Sequence, residues 1–207
     1  FMDYYDPKTV FSSIDKFGRY AFSNQPPITK WNLARFAECL IPLIDENEDK
    51  AIKSATELIE TFSKKYEEKW LKMMRKKLGL LGEDNKDKFL IVDLLTWMHQ
   101  NKVDYTNTFC HLMNLKDYDD GLYKDDNFQK WKKNWLERLK LNNNTQENYT
   151  KLMRSVNPLV IPRNHIIESA LEKAKDSNLE PFNELLEILK APYLSLIHIS
   201  EPTRRKR

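Results

Sequence analysis

The sequence predicts a mainly α-helical protein, and three observations support this prediction. Only four glycines occur among the 207 residues, and the chain is rich in Lys, Glu, Leu and Asn, a composition that favours helices over sheets. Apolar residues recur at intervals of three and four positions from residue 29 to residue 190, which is the spacing of a helix face. No repeat of fixed period links the successive segments, so a solenoid is not expected.

Residues 1–27 precede the helical pattern and differ from it. They carry several aromatic side chains, Asp-Pro and Ser-Ser turn signals, and no helical or strand periodicity. Gly18 can supply a positive φ. Linkers are poor in aromatic residues, and long structured loops are often functional. Function is therefore expected in this loop, with the helices as its support.

Two long helices are predicted after the loop. Thr29 is the expected N-cap of the first, and Pro42 is expected to kink it or end it. The second is predicted over residues 48–78, with Gly79 as its C-cap. We interpret the cationic face of this second helix as solvated rather than as an anion-binding patch; this face carries Lys64, Lys65, Lys69, Lys72, Arg75, Lys76 and Lys77.

Shorter helices follow along the chain. Asp104 is expected to cap one of them, and the stretch from Asn144 to Glu147 resembles a capping pair. The apolar spacing predicts these helices over residues 89–100, 104–113, 128–139, 149–156, 165–174 and 181–190. Six large aromatic side chains of the helical body are expected to bury most of their area; they are Trp31, Phe62, Trp70, Trp97, Trp131 and Trp135.

Composition and charge argue against several classes of function. The net charge of +3 is too close to balance to indicate nucleic-acid binding, and no apolar run has the length of a transmembrane helix. The two cysteines, Cys39 and Cys110, make neither a disulfide framework nor a metal site. The chain begins with Phe and shows no signal or transit peptide, so we expect it to be an internal or C-terminal piece of a longer protein.

The residues that could perform chemistry do not form a complete active site. No two of the four histidines stand at metal-binding spacing, and no glycine-rich phosphate loop is present. Cys110 and His111 are neighbours on a predicted helix and point about 100° apart, so they are not a nucleophile–base pair. The acidic residues 117–126 lack EF-hand spacing, which favours a loop and a helix cap over calcium. Asp3 and Asp6 are interpreted as turn-stabilising acids in preference to a cation site.

Residues 194–204 read LSLIHISEPTR and show neither a cap nor a helical period. This string resembles the translation of a sequencing-library adapter. We therefore treat residues 194–207 as a non-native tail and exclude both His198 and the basic C-terminal end from functional interpretation.

Several motifs, in order along the chain, resemble the selenoprotein O family, also called the YdiU or UPF0061 family. They are FMDYYDP, GRYAFSNQP, WNLARFAECLIPLI, DYTNTF, VNPLVIPRNHIIESALEKA and LLEILKAPY. The resemblance extends over residues 1–193, almost all of the chain before the tail. An ordered set of motifs is far more specific than any one of them.

This resemblance implies a protein-kinase-like (pseudokinase) fold, with residues 28–193 as its helical C-terminal lobe and residues 1–27 as its activation-segment region. Family members bind ATP with Mg²⁺ or Mn²⁺ and transfer AMP to hydroxyl side chains of proteins. The family's phosphate- and metal-binding residues lie upstream of the first residue of this chain. Its metal-binding Asp belongs to a string like IDYGPFGFMD, of which this chain holds only FMD. No catalytic, cofactor-binding or metal-binding residue is therefore carried over, and Asp3 is not that Asp.

The resemblance also places three residues of the first loop in a possible functional position. Arg19, Asn24 and Gln25 would either face the acceptor protein or brace the loop, and bracing is the preferred interpretation. Many family members carry Cys-Asn-His-Ser-Asp where residues 11–15 of this chain read Phe-Ser-Ser-Ile-Asp. A thiol or selenol switch is therefore not inferred.

The resulting hypothesis is the C-terminal part of a protein adenylyltransferase. The fragment alone is expected to be inactive and to bind neither ATP nor metal, whereas the full-length protein would use ATP and Mg²⁺ or Mn²⁺ on the Ser, Thr or Tyr hydroxyls of protein substrates. No nucleic-acid or membrane partner is expected. Its location would be mitochondrial in a eukaryotic source and cytoplasmic otherwise. The alternative is a non-enzymatic helical module for protein interaction.

Overall fold

The computed structural model describes residues 2–113 and 121–193, and these ranges are mainly helical, which confirms the predicted class. Within them no strand forms, and Tyr4 and Asp104 make an isolated antiparallel bridge. None of the helices in these ranges is both long enough and apolar enough to cross a membrane. The α-helices are α1 (Gln25–Ile44), α2 (Glu48–Glu60), α3 (Phe62–Lys77), α4 (Asp87–Gln100), α5 (Tyr105–Leu112), α6 (Asp126–Leu139), α7 (Gln146–Arg154), α8 (Asn164–Lys175) and α9 (Glu180–Lys190).

The first helix begins earlier than its sequence pattern indicates. A short 3-10 turn leads into α1 at Gln25, and the prolines that follow lie in the first turn of the helix. A proline there removes an N–H group that has no helical partner in any case. Thr29 therefore lies inside α1, where its hydroxyl donates to the Gln25 carbonyl at 2.8 Å, and its prediction as the N-cap is wrong. The helix ends at Ile44, shortly after Pro42.

The predicted helix over residues 48–78 is divided into two helices, because the helical hydrogen-bonding pattern is interrupted at Thr61. The Thr61 N–H and hydroxyl both bond to the Leu58 carbonyl, at 3.2 and 2.7 Å. This three-residue spacing closes a tighter turn than the α-helix and ends α2 before α3 begins. At the other end of α3, Gly79 has a φ of +69°, which confirms its predicted role at the helix C-terminus.

The core lies among α4, α5, α6, the end of α3 and α7. These elements bring together side chains far apart in the sequence, and the largest of the fully buried ones are Trp135, Phe109, Phe128, Met74, Leu78, Ile91, Leu94, Met98 and Met153. Apolar burial on this scale is the main favourable term in folding.

Three of the predicted core tryptophans are buried, which confirms that part of the prediction: Trp97, Trp131 and Trp135. A buried indole needs an acceptor for its N–H. Trp131 donates to the Leu90 carbonyl at 2.8 Å, and Trp135 donates to the Leu78 carbonyl at 2.9 Å. These bonds tie α6 to α4 and to the end of α3.

The burial prediction is wrong for Trp31, which is 49% exposed. This residue lies on α1, where Ile28 is the buried residue and most others face solvent. Phe62 and Trp70, on α3, are of intermediate exposure and bury most of their area, as predicted. The apolar spacing of α1 overstates the burial of Trp31, because α1 packs mainly on α2 and not on the core.

The cationic end of α3 is also partly buried, which corrects its interpretation as a solvated face. Asp87 accepts hydrogen bonds from Arg75 at 2.7 Å and from Arg138 at 2.7 and 3.2 Å. Burial by itself raises the pKa of Asp87, but the hydrogen bonds from Arg138, the Asp84 N–H and Arg75 outweigh burial and hold this pKa below its usual value. Lys77 is buried as well.

Acidic and hydroxyl side chains form the N-caps of several helices. Asp104 accepts from the Asn107 N–H at 2.7 Å, as predicted, and Asp125 accepts from the Phe128 N–H at 3.0 Å. The cap of α7 is Thr145, not the predicted Asn144. Asn144 instead donates to the carbonyl of Gly79, at 2.8 Å. The remaining acidic residues, 117–120, and the adapter-like residues 194–207 lie outside the described ranges.

Candidate functional site

The N-terminal segment, residues 2–24, is joined at its start to the body by main-chain hydrogen bonds. The N–H of Tyr5 donates to the Val103 carbonyl at 2.9 Å, and the N–H of Tyr105 donates to the Asp3 carbonyl at 2.8 Å. The ring of Tyr5 also stacks on that of Tyr105, with 5.7 Å between centroids. The segment is therefore a packed, hydrogen-bonded part of the fold and not a linker.

Arg163 adds a charged anchor at the same place. Its guanidinium binds the Asp3 carboxylate at 2.6 Å and the Asp104 carboxylate at 2.7 Å. Burial by itself lowers the pKa of Arg163, but its bonds to Asp104 and Asp3 reverse this and raise it. Because Asp104 also caps α5, the arginine couples the segment, α5 and the start of α8.

Asp3 and Asp6 therefore have separate partners. Asp6 accepts a hydrogen bond from the Lys8 N–H at 2.8 Å, the local turn bond expected of an aspartate. Asp3 is held by Arg163 instead. The two carboxylates stabilise the segment in different ways.

The middle of the segment folds back on itself. The Asp15 carboxylate accepts from the N–H groups of Arg19 and Tyr20, both at 2.8 Å. Gly18 makes the turn with a φ of +67°, which is the positive φ predicted for it. At the base of the loop, the Phe22 N–H donates to the Thr9 carbonyl at 2.9 Å. These bonds give the loop a defined shape without strands.

Arg19, Asn24 and Gln25 lie together beside this turn. Asn24 donates through its amide to the Arg19 carbonyl, and Gln25 donates to the Tyr20 carbonyl. The Arg19 guanidinium lies 4.6 Å from the centroid of the Trp31 ring, a cation–π distance. The three side chains thus contact the loop and α1; whether they also face an acceptor protein stays a prediction.

The tip of the loop carries apolar side chains into solvent. Phe17 is 99% exposed and Ile14 is 88% exposed, while Phe11 is half exposed. Apolar groups held in a fixed loop and left uncovered are typical of a surface that meets another protein or another part of the same protein.

No cluster of three or more His, Cys, Asp or Glu side chains suited to a metal ion occurs in the described ranges. The described residues therefore do not fit a Mg²⁺ or Mn²⁺ site. The sequence pattern did not predict a role for Arg163. Its partners lie 59 and 160 positions away, so the only signal was its place in the PRNH string at a helix start.

Comparison with known proteins adds information that the geometry lacks. Residues 1–190 match the family model described as protein adenylyltransferase SelO. The chain is 59% identical over 194 residues to the protein nucleotidyltransferase YdiU of Pelagibacter ubique, 52% to that of Alcanivorax borkumensis and 49% to one from Clostridium botulinum. These alignments cover 93–94% of this chain and 40% of each relative, so the chain spans about two fifths of their length.

Proposed function

The chain belongs to the SelO/YdiU family, and from this premise we propose that it is the helical C-terminal part of a protein adenylyltransferase. The observation that carries the proposal is the family match over residues 1–190. In the proposed reaction, a Ser, Thr or Tyr hydroxyl oxygen of a protein forms a bond to the α-phosphorus of ATP. The bond from that phosphorus to pyrophosphate breaks, and the hydroxyl proton is lost.

The proposed role of this chain is to hold the N-terminal segment beside the reacting groups. The anchor of Arg163 on Asp3 and Asp104 supports this role, because it fixes the start of the segment on the N-termini of both α5 and α8. Nucleotidyl transfer depends mostly on positioning and on neutralisation of charge. A segment placed with this precision would contribute to positioning, while ATP and its divalent ion would bind residues in the part of the relatives that this chain does not span.

The test compares the 207-residue chain with a chimera that joins it to the remaining N-terminal part of the Pelagibacter ubique relative. Each is incubated with ATP labelled at the α- or the γ-phosphate and with a mixture of proteins. The proposal expects α-label on protein with the chimera and none with the chain alone. A chimera that transfers the γ-label would overturn the reaction, and α-label transfer by the chain alone would overturn the division of roles.

A non-enzymatic interaction module is the second candidate, because the loop tip exposes Ile14 and Phe17. Under this reading the exposed side chains bind a partner whether or not nucleotide is present. The double variant Ile14→Ser, Phe17→Ser separates the two functions in the chimera. A chimera that transfers no AMP yet binds a partner through Ile14 and Phe17 would favour the module, whereas loss of AMP transfer in the double variant would favour a role of the loop tip at the reaction site.

A further inference from the structure

A cavity of about 240 Å³ lies between the N-terminal segment and the helical body. Phe11 and Phe22 line it from the segment, and Tyr105 and Phe109 line it from α5. The wall is therefore mainly aromatic and apolar. An engineered apolar cavity of about 150 Å³ holds benzene, so this volume accommodates a phenyl ring together with a small polar group.

Lys77 is the charged residue in the wall of this cavity. Its ammonium nitrogen lies 4.2 Å from the centroid of the Phe109 ring and 5.3 Å from that of Tyr105. Within the described ranges, no carboxylate lies at ion-pair distance from it and no side-chain hydrogen bond holds it. A buried cation without an anion is costly, and two aromatic faces compensate for only part of that cost.

The ionisation of Lys77 agrees with this geometry. Burial lowers the pKa of the amine to about 8, while a smaller effect of the Cys110 thiol raises it. Tyr105 is the other ionisable group in the wall, and burial raises the pKa of its phenol. At pH 7 the amine is still mainly protonated, so it can attract an anion.

Asn157 provides a second polar group in the same wall. It is 1% exposed, and its amide nitrogen donates to the carbonyls of Lys77 and Met153, both at 2.9 Å. Its Oδ1 is buried and has no hydrogen-bond partner among the described residues. Buried polar atoms are normally paired, so this oxygen indicates a position in the cavity wall where a hydrogen-bond donor is missing.

We propose that this cavity binds a small carboxylate with an apolar body of about the size of a phenyl ring. The carboxylate would pair with Lys77, and the body would lie against Phe11, Phe22 and Phe109. A single cation in an apolar wall matches one negative charge. A phosphate carries more charge and is usually held by several charged donors, whereas Lys77 is the single charged side chain in this wall. The proposal does not depend on nucleotidyl transfer.

The experiment titrates the 207-residue chain with 3-phenylpropanoate by isothermal calorimetry, and with 3-phenylpropan-1-ol as the uncharged analogue. Lys77→Met keeps the length of the side chain without its charge, and Lys76→Met is the matched control at an exposed neighbour on the same helix. We expect at least tenfold weaker binding of the acid to Lys77→Met, unchanged binding to Lys76→Met, and at least tenfold weaker binding of the alcohol to the unmodified chain.

Chemical labelling provides a readout that needs no variant. Lysines of the unmodified chain are acetylated with a limiting active ester, and the rate at each site is followed by mass spectrometry. The proposal expects 3-phenylpropanoate to slow acetylation of Lys77 and to leave Lys76 unaffected. Equal binding of acid and alcohol, no binding of the acid at millimolar concentration, or an unchanged rate at Lys77 would each overturn the proposal, even if Lys77→Met does not fold.

Discussion

Helices α4–α7 and the pair α1–α2 both carry an apolar face in the sequence, yet they bury it to different extents. The first group encloses Trp131 and Trp135 almost completely. In α1 and α2, by contrast, Trp31, Phe36 and Leu58 remain 49–65% exposed. Apolar spacing therefore indicates that a helix has a face to bury, but the number of partners around that helix decides how much is buried.

Truncation of a tryptophan in each region should show the largest difference between them. Trp135→Ala should lower the free energy of unfolding by about 3–5 kcal/mol, because it leaves a cavity in the core and removes the bond to Leu78. Trp31→Ala should cost below about 1 kcal/mol, since its ring loses mainly cation–π contacts. Urea unfolding of both variants measures this, and similar midpoints would mean that the core is not where the structure places it.

Substitution of the buried carboxylate Asp87 should destabilise the chain almost as strongly as truncation of Trp135. Asp87→Asn should lower the free energy of unfolding by roughly 3–5 kcal/mol, because two guanidinium groups then lose their buried counter-ion. Asp93→Asn, on an exposed position of the same helix, should stay within about 0.5 kcal/mol of the parent. Chemical denaturation at pH 7 gives both values. Equal effects at the two positions would contradict the described network.

The dependence of stability on acid pH tests the same buried carboxylate, Asp87. The pKa of Asp87 lies below its usual value in the folded chain, so its contribution to stability is present above about pH 4 and is lost as the pH falls through the folded-state pKa. Asp87→Asn should remove this part of the acid dependence, while Asp93→Asn should retain it. The measurement is unfolding free energy at several pH values between neutrality and the acid transition.

The buried amine of Lys77 should add a second rise of stability with pH, in the alkaline range. Its folded pKa of about 8 lies below the ordinary value of 10.5, so the unfolded chain binds more protons between these values and stability should rise with pH. The rise should be on the order of 1–3 kcal/mol and should be absent in Lys77→Met. The pKa of Tyr105 is raised, which gives a loss of stability that begins near pH 10, so the comparison is made below that pH. A parent chain whose stability falls from pH 8 to 9.5 would contradict it.

The smallest expected effect concerns the anchor of the N-terminal segment. Arg163→Met removes the ion pairs to Asp3 and Asp104 and should weaken attachment of the segment by about 1–2 kcal/mol. Amide hydrogen exchange at Tyr105, whose N–H bonds to the Asp3 carbonyl, should then speed up roughly tenfold. Arg154→Met, at an exposed position, is the control. If the exchange rate at Tyr105 is the same in both variants, the arginine does not hold the segment.

Local chemistry explains which elements could be predicted. The caps at Asp104 and the turns at Gly18 and Gly79 depend on neighbours a few positions away, and the structure agrees with each. The break at Thr61 was missed because apolar spacing continues across it, and the start of α1 was missed because prolines also fit the first turn of a helix.

The sequence was enough to establish the helical class, most helix positions and the family, because periodicity, capping residues and ordered motifs are all local or linear features. Only the folded chain decided which cations are solvated and which are enclosed. Lys76 and Lys77 are adjacent and chemically identical, yet one faces solvent and the other lies under Phe109. Burial depends on helices that pack from distant parts of the chain, and the same holds for Arg163, whose carboxylate partners come from two other segments.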